Sequence, residues 1–444
     1  PLYTDSDYGL RTSPLETVWK LEKIVEGHPQ VFEALARWAA EHEVIFVIGN
    51  HDIELSYAEV QSALRECLAG FVSPEERSGL TENVTFCPWF FFDGQIYIEH
   101  GHQYDPLNAF RSPLDPALST TGSCGYGIEP QTDLPIGSLF VRYLFNRIET
   151  GEPFADNVKP ATRFLTWLIT RHPIRAYRYL FTDGLSMLER LKRNWRRAQE
   201  TADPTYSDCH QDRFRELRDR LSSTPDLGDR NWSQLLDQLD ALREPSLMYR
   251  PKGFLWKALR ALVGPVTIPI LSLVPLVFAI LGFTLTISPL LLALFPYSLR
   301  GLFEVVSATP YWWAFSESVR WVFLAEILIF LLIRYLAVRG SGSQPEKIRL
   351  REKAREIQRL LGAKAILMGH SHDTDLWRIN RSSEYFNTGT WTKIFGAGDP
   401  LERAEKELTF ALITPENTGL KVKLMKWEGE SCEARLAYLF ADPS

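Results

Sequence analysis

Five of the nine histidines in this 444-residue chain fall in three short motifs that could bind metal ions. The motifs are Gly-Asn-His-Asp at 49–52, His-Gly-His at 100–102 and Gly-His-Ser-His at 369–372. Each one directly follows a short apolar run that is typical of a buried strand. In an open α/β sheet the carboxyl ends of the strands share one crevice, so residues far apart in sequence can meet there. Imidazole and amide oxygen suit borderline divalent metals, so the motifs predict one metal site.

The elements that must position these motifs alternate between strands and helices. Strands are predicted at 44–48, 86–92, 96–99 and 365–368, with further short strands at 384–386, 408–413, 420–427 and 435–440. Helices are predicted at 15–42, 57–69 and 345–361, and residues 130–250 are predicted to be largely helical and polar. This order predicts an α/β fold.

Composition excludes several classes of protein. The net charge of −6 argues against a nucleic-acid binder that works by bulk positive charge, so no nucleic-acid partner is expected. The five cysteines are odd in number, widely spaced and without a C-x-x-C pair. They therefore exclude a disulfide framework or a zinc ribbon and fit a reducing compartment.

The three motifs, in this order and each at a predicted strand end, resemble the third, fourth and fifth conserved blocks of the calcineurin-like metallophosphoesterases. Asn387-Thr-Gly-Thr-Trp391 resembles the Asn-x-Gly turn that often follows the fifth block. The resemblance implies a four-layer αββα sandwich. The core would comprise residues 1–129 and 344–444, and residues 130–343 would form a largely helical, membrane-associated insertion.

The resemblance also implies residue roles and cofactors. Two divalent metal ions (manganese, zinc or iron) are expected, with a ligand set of Asn50, His100 and His370 for one ion and His372 for the other. His51 would face the phosphoryl group and protonate or stabilise the leaving oxygen. Asp52 would orient the His51 ring and stabilise its charge.

Three further residues near the fourth block have two open interpretations each. His102 is expected either to support a metal ligand from behind or to contact substrate. Asp105 has the same candidate role, or caps a turn. Arg111 either meets a phosphate or points to solvent.

One departure from the family pattern affects the expected activity. The first two blocks, Asp-x-His and Gly-Asp-x-x-Asp, precede Gly-Asn-His-Asp in the family but do not occur in residues 1–48, and Asp5 and Asp7 match neither of them. Those blocks supply ligands to the second metal and the carboxylate that bridges the two ions. We therefore expect a longer product to carry them, and this chain alone to be a poor catalyst.

A separate feature is a long apolar stretch. Residues 261–299 contain no charged side chain, and a second apolar run covers 318–338. Because a bilayer span needs about 20 apolar residues, transmembrane segments are predicted at about 263–288 and 318–338. Since His100 and His370 must share one site, an even number of crossings is required, and flanking Lys and Arg favour a cytoplasmic catalytic side. The alternative is a re-entrant hairpin followed by an amphipathic helix that lies flat on the membrane.

Together these features predict a metal-dependent phosphoesterase at the membrane surface. Its substrate would be a phosphate ester or pyrophosphate, with a lipid-linked one as an option. Two alternatives remain: a tethered hydrolase of soluble nucleotides or phosphoproteins, and a non-catalytic membrane scaffold with an incomplete metal site. The sequence leaves the oligomeric state open.

Overall fold

The computed structural model describes residues 12–118, 131–142, 204–245, 346–395 and 404–436, together with 172 and 175. Short gaps within these ranges fall at 226, 228, 407, 417–418 and 429–432. The described residues all belong to one compact unit formed by Pro1–Phe254 and Pro345–Ser444. This unit is mixed α/β, with helices and several sheets, which confirms the predicted fold class at that level.

The described helices, in chain order, are α1 (Pro14–Gly27), α2 (Pro29–Glu41), α3 (Ala58–Ala69), α4 (Arg77–Asn83), α5 (Ile136–Phe140), α6 (Pro204–Ser223), α7 (Trp232–Leu242) and α8 (Glu346–Leu361). The strands are β1 (Val44–Val47), β2 (Val84–Cys87), β3 (Phe90–Phe92), β4 (Ile96–Glu99), β5 (Ala117–Leu118), β6 (Gln131–Thr132), β7 (Ala365–Met368), β8 (Thr374–Asn380), β9 (Ser383–Thr388), β10 (Lys393–Phe395), β11 (Ala404–Lys406), β12 (Thr409–Glu416), β13 (Gly419–Glu428) and β14 (Glu433–Leu436).

A five-stranded sheet with the order β3-β4-β7-β9-β8 carries two of the three motifs. The central strands β4, β7 and β9 are parallel, and β3 and β8 are antiparallel edge strands. Ile98 pairs with Leu367, and Met368 pairs with Asn387. The residues that follow β4 and β7 therefore emerge side by side at one edge of the sheet, as the sequence predicted.

The remaining strands form smaller sheets. β1 and β2 form a parallel pair, and the pairing continues one residue further, where Ile48 N–H donates to Cys87 O at 3.0 Å. β12, β13 and β14 form an antiparallel sheet, and β5-β6 and β10-β11 are short antiparallel pairs. The single strand predicted at 86–92 is divided into β2 and β3 because Pro88, which lacks an N–H donor, interrupts it.

Helices α6 and α7 contribute to the same hydrophobic core as the central sheet. Trp232 of α7 is 1% exposed, and its ring meets that of Phe92 edge to face at 6.1 Å. The core cluster also includes Leu217 of α6, Tyr97 of β4 and Ile357 of α8. Helices α6 and α7 lie inside the predicted insertion 130–343, yet Leu217 and Trp232 are buried together with side chains of the predicted core. The insertion boundaries themselves stay a prediction.

The membrane prediction requires correction. In the part of the chain that the structure describes, no helix has both the length and the apolar character needed to cross a bilayer. Helix α6 has 20 residues, but eight of them are Asp, Glu or Arg, whose transfer into hydrocarbon is costly. This finding contradicts the predicted transmembrane helices and the predicted membrane localisation with a cytoplasmic catalytic side. The predicted spans, 263–288 and 318–338, lie outside the described residues.

Replacing Trp232 with alanine should lower the free energy of unfolding by about 3–5 kcal/mol, because it leaves a large cavity and removes the indole bond to Leu227 O (2.8 Å). The measurement is urea unfolding. Trp38→Ala is the matched control, because Trp38 is 59% exposed, and it should cost less than about 1 kcal/mol. Equal losses for the two variants would contradict the burial of α7 in the core.

Candidate metal centre

The Gly-His-Ser-His motif forms a tight turn at the end of β7. Gly369 N–H donates a hydrogen bond to His100 O at 3.1 Å, and this bond joins the turn to the residue that follows β4. His370 and His372 both have left-handed backbone conformations, with φ of 67° and 60°. The Asn387 amide supports the turn by donating to Gly369 O at 2.6 Å. Such strained residues persist only where neighbouring structure holds them, and they cluster at functional sites.

The Gly-Asn-His-Asp motif brings Asn50 from the end of β1 to the same place. Asn50 is 3% exposed, and its Oδ1 lies 3.0 Å from His100 Nε2. A Cβ atom at position 49 would lie 2.8 Å from Asp52 Oδ1 and 3.0 Å from the His100 ring. Glycine at this position therefore allows the close approach of His100. Asp52 Oδ1 accepts a hydrogen bond from Gly49 N–H at 2.8 Å.

The structure brings three of the four predicted metal ligands together. Besides the Asn50–His100 contact, the rings of His100 and His370 lie 5.5 Å apart between centroids and are oriented edge to face. His370 is 8% exposed, and His100 is half-buried. These donors follow three strands, and they are 50 positions (Asn50 to His100), 270 positions (His100 to His370) and 320 positions (Asn50 to His370) apart in the sequence. The pairing of β4 with β7 brings His100 and His370 together, and Asn50 arrives from the separate β1-β2 pair.

His102 lies buried beside this group. Its ring centroid is 5.3 Å from that of His100 and 6.4 Å from that of His370, and its Nε2 lies 2.8 Å from the Gln103 side-chain nitrogen. Burial, and after it electrostatic interaction with the neighbouring imidazoles of His100 and His370, hold the pKa of His102 well below its usual value. The ring is therefore neutral and accepts from the Gln103 amide. His102 therefore lies beside two of the predicted ligands, and its role stays a prediction.

Asp105 contacts the predicted ligand His370 directly. Its Oδ2 lies 3.3 Å from His370 Nε2 and accepts from Asn108 Nδ2 at 2.6 Å. Burial raises the pKa of Asp105, but the hydrogen bond and electrostatic interaction with His370, together with bonds from Asn108 and Leu107 N–H, lower it to about 2. Asn108 also accepts from Asn50 Nδ2 at 3.4 Å, so one amide links the first motif to this carboxylate.

Glu346, the first residue of α8, completes the group and was not predicted. Its Oε1 lies 3.4 Å from His370 Nε2. The ligand atoms of Asp105, Glu346 and His370 all lie within 4.8 Å of one another, so they could hold a metal ion. No specific sequence signal pointed to Glu346, because acidic residues are common in the first turn of a helix, where they interact favourably with the helix dipole.

The other predicted site residues have less direct placements. His51 and Asp52 have exposed side chains next to buried Asn50. His372 is half-buried and does not belong to the group formed by Asp105, Glu346 and His370. Arg111 forms an ion pair with Asp133 at 3.5 Å. Asp5 and Asp7 lie outside the described residues.

Comparison with known proteins adds no family assignment, because the chain matches no protein-family model, no curated protein and no solved structure.

Glu99, at the end of β4, is a buried carboxyl directly behind the site. It is 2% exposed, and its nearest polar neighbours are Tyr97, Tyr104 and Trp89. These donors lower its pKa in part, but they lie outside regular hydrogen-bonding geometry. Burial dominates and raises the pKa of Glu99 from 4.5 to about 7.

This pKa predicts a pH dependence of stability. A folded-state pKa above the unfolded one gives stability that is full at low pH and is lost as pH rises through the folded value of about 7. Between about pH 4 and pH 8, wild-type protein should therefore lose about 3 kcal/mol of unfolding free energy relative to Glu99→Gln. Urea unfolding at both pH values measures this difference, with Glu82→Gln on the exposed face of α4 as control. Parallel pH profiles for wild type and Glu99→Gln would contradict it.

Proposed function

We propose that this protein is a metal-dependent phosphoesterase that hydrolyses a phosphate ester or a pyrophosphate. The observation that carries the proposal is the contact between Asn50 Oδ1 and His100 Nε2 at 3.0 Å, with the His370 ring 5.5 Å from that of His100. These residues belong to three separate motifs that resemble the third to fifth blocks of the calcineurin-like metallophosphoesterases. Packing alone gives no reason for an amide and two imidazoles to meet at one sheet edge.

The proposal includes the family's four-layer αββα sandwich. The parallel strands β4, β7 and β9, with antiparallel strands at both edges, support this architecture. The separate parallel pair β1-β2, which carries the first of the three motifs, is consistent with a second sheet.

The donor set fits divalent metal ions of the manganese, iron and zinc type. Amide oxygen, imidazole nitrogen and carboxylate oxygen are ligands that these ions share. Asn50, His100 and His370 would hold one ion, and His372 would contribute to the other. Bound divalent ions in such sites neutralise the charge on phosphoryl oxygens and activate water. The exposed His51 would donate a proton to the leaving oxygen, and Asp52 would help to orient the ring.

The direct test is removal and return of metal on the full-length protein. Full-length protein stripped with EDTA should lose hydrolysis of p-nitrophenyl phosphate, bis-p-nitrophenyl phosphate or a nucleotide pyrophosphate, and added Mn²⁺, Fe²⁺ or Zn²⁺ should restore it. The reason is that without the ions nothing offsets the charge on the transferred phosphoryl group. Elemental analysis verifies that the stripped protein is free of metal. An equal rate of hydrolysis in this metal-free protein would contradict the proposal.

His51→Gln should lower kcat by about 100-fold or more, because it removes the proposed general acid while leaving the metal ligands in place. Metal content and the unfolding midpoint should stay at wild-type values. His28→Gln is the matched control, since His28 is exposed between α1 and α2, and it should retain full activity. A His51→Gln enzyme with an unchanged kcat would remove this residue from the mechanism.

A further inference from the structure

Two carboxylates and one imidazole nitrogen converge beside the ligand set that the family resemblance implies. Asp105 Oδ2 lies 3.3 Å from His370 Nε2, and Glu346 Oε1 lies 3.4 Å from the same nitrogen. Asp105 comes from the loop after the second motif, whereas Glu346 begins α8 immediately before β7. The two acidic residues therefore reach His370 from different elements.

Protein groups alone do not satisfy all the hydrogen-bond acceptors of Asp105 and Glu346 in this group. An imidazole Nε2 carries at most one hydrogen, so it can serve one of the two carboxylates. The bond goes to Asp105, and Glu346 Oε1 is buried without a hydrogen-bond partner among the described residues. An unpartnered buried carboxylate oxygen is costly, which makes a cation the natural third partner.

The two acidic side chains present different oxygens to their neighbours. Arg349 lies 3.9 Å from Asp105 Oδ1, whereas Oδ2 is the oxygen 3.3 Å from His370 Nε2. His370 is 8% exposed and its Nε2 is the atom that faces both acids. Ligands about 2.1 Å from an ion lie within about 4.2 Å of one another, and the three ligand atoms here already lie within 4.8 Å of one another.

We propose that Asp105 and Glu346 are direct ligands, with His370, of a divalent cation. These carboxylates bring negative charge to a site whose other proposed ligands, Asn50 and His100, are neutral donors. The inference deepens the proposed function and rests on its assignment of His370 as a metal ligand. Mixed carboxylate and imidazole donors suit Mn²⁺, Fe²⁺ and Zn²⁺.

The experiment measures metal binding apart from catalysis. EDTA-stripped protein is titrated with MnCl₂, and free Mn²⁺ is followed by its electron paramagnetic resonance signal. Glu346→Gln and Asp105→Asn, which are close to isosteric, should each weaken Mn²⁺ binding by about tenfold or more, since each removes an anionic ligand. Glu352→Gln, on the exposed side of the same helix, should bind as wild type does.

The outcomes separate this inference from the proposed function. Mn²⁺ affinity that is unchanged in both Glu346→Gln and Asp105→Asn overturns the ligand assignment, even if the enzyme hydrolyses phosphate esters normally. Weakened Mn²⁺ binding in these variants supports the site even if wild-type protein hydrolyses nothing, which would remove only the proposed function. Wild-type protein that binds no Mn²⁺ and no Zn²⁺ overturns the inference. Circular dichroism of each metal-free variant verifies the fold, and Glu346→Asp replaces any glutamine variant that fails to fold.

Discussion

The candidate centre depends on the parallel pairing of β4, β7 and β9. Parallel neighbours point the same way, so the residues that follow β4 and β7 leave the sheet at one edge, where His100 and the turn at Gly369 are hydrogen-bonded. Asn387, paired with Met368 at the end of β9, closes the arrangement through its bond to Gly369 O. Without this register, the imidazoles would lie on different parts of the surface.

The fold holds polar groups at this edge at a cost in stability. His370 and His372 have left-handed backbones, which disfavour side chains with a Cβ atom. Behind them, burial keeps His102 neutral and raises the pKa of Glu99 to about 7. The hydrophobic cluster around Trp232 supplies compensating burial close by. Strain and buried polar groups beside a well-packed core are the usual pattern of a functional site.

The sequence was most informative where the spacing of apolar residues agreed with residues that end helices or strands, such as glycine. Strands β4 and β7 have the bounds predicted from their apolar runs. Helix α8 begins one residue from its predicted start, because the Gly340-Ser-Gly-Ser343 sequence before it and Gly362 after it mark the limits of a charged helix. The edge strand β8 was missed, because the charged residues Asp375 and Arg378 interrupt the alternation of apolar and polar residues that predicts a strand. Glu346 was missed because its role depends on the position of α8 relative to β7, which no local pattern encodes. The membrane prediction treated apolar length as sufficient evidence and is contradicted by the described helices.

The Asp105–His370 contact has a consequence for how the centre forms. The two residues are 265 positions apart in the chain, so an unfolded polypeptide seldom brings them together. The complete donor set exists only after the long-range strand pairing is made, which is a slow step in folding compared with local helix formation. Any ion that recognises the set therefore binds the native state almost exclusively. Its concentration in the surrounding solution then becomes a direct determinant of how much of the protein remains folded.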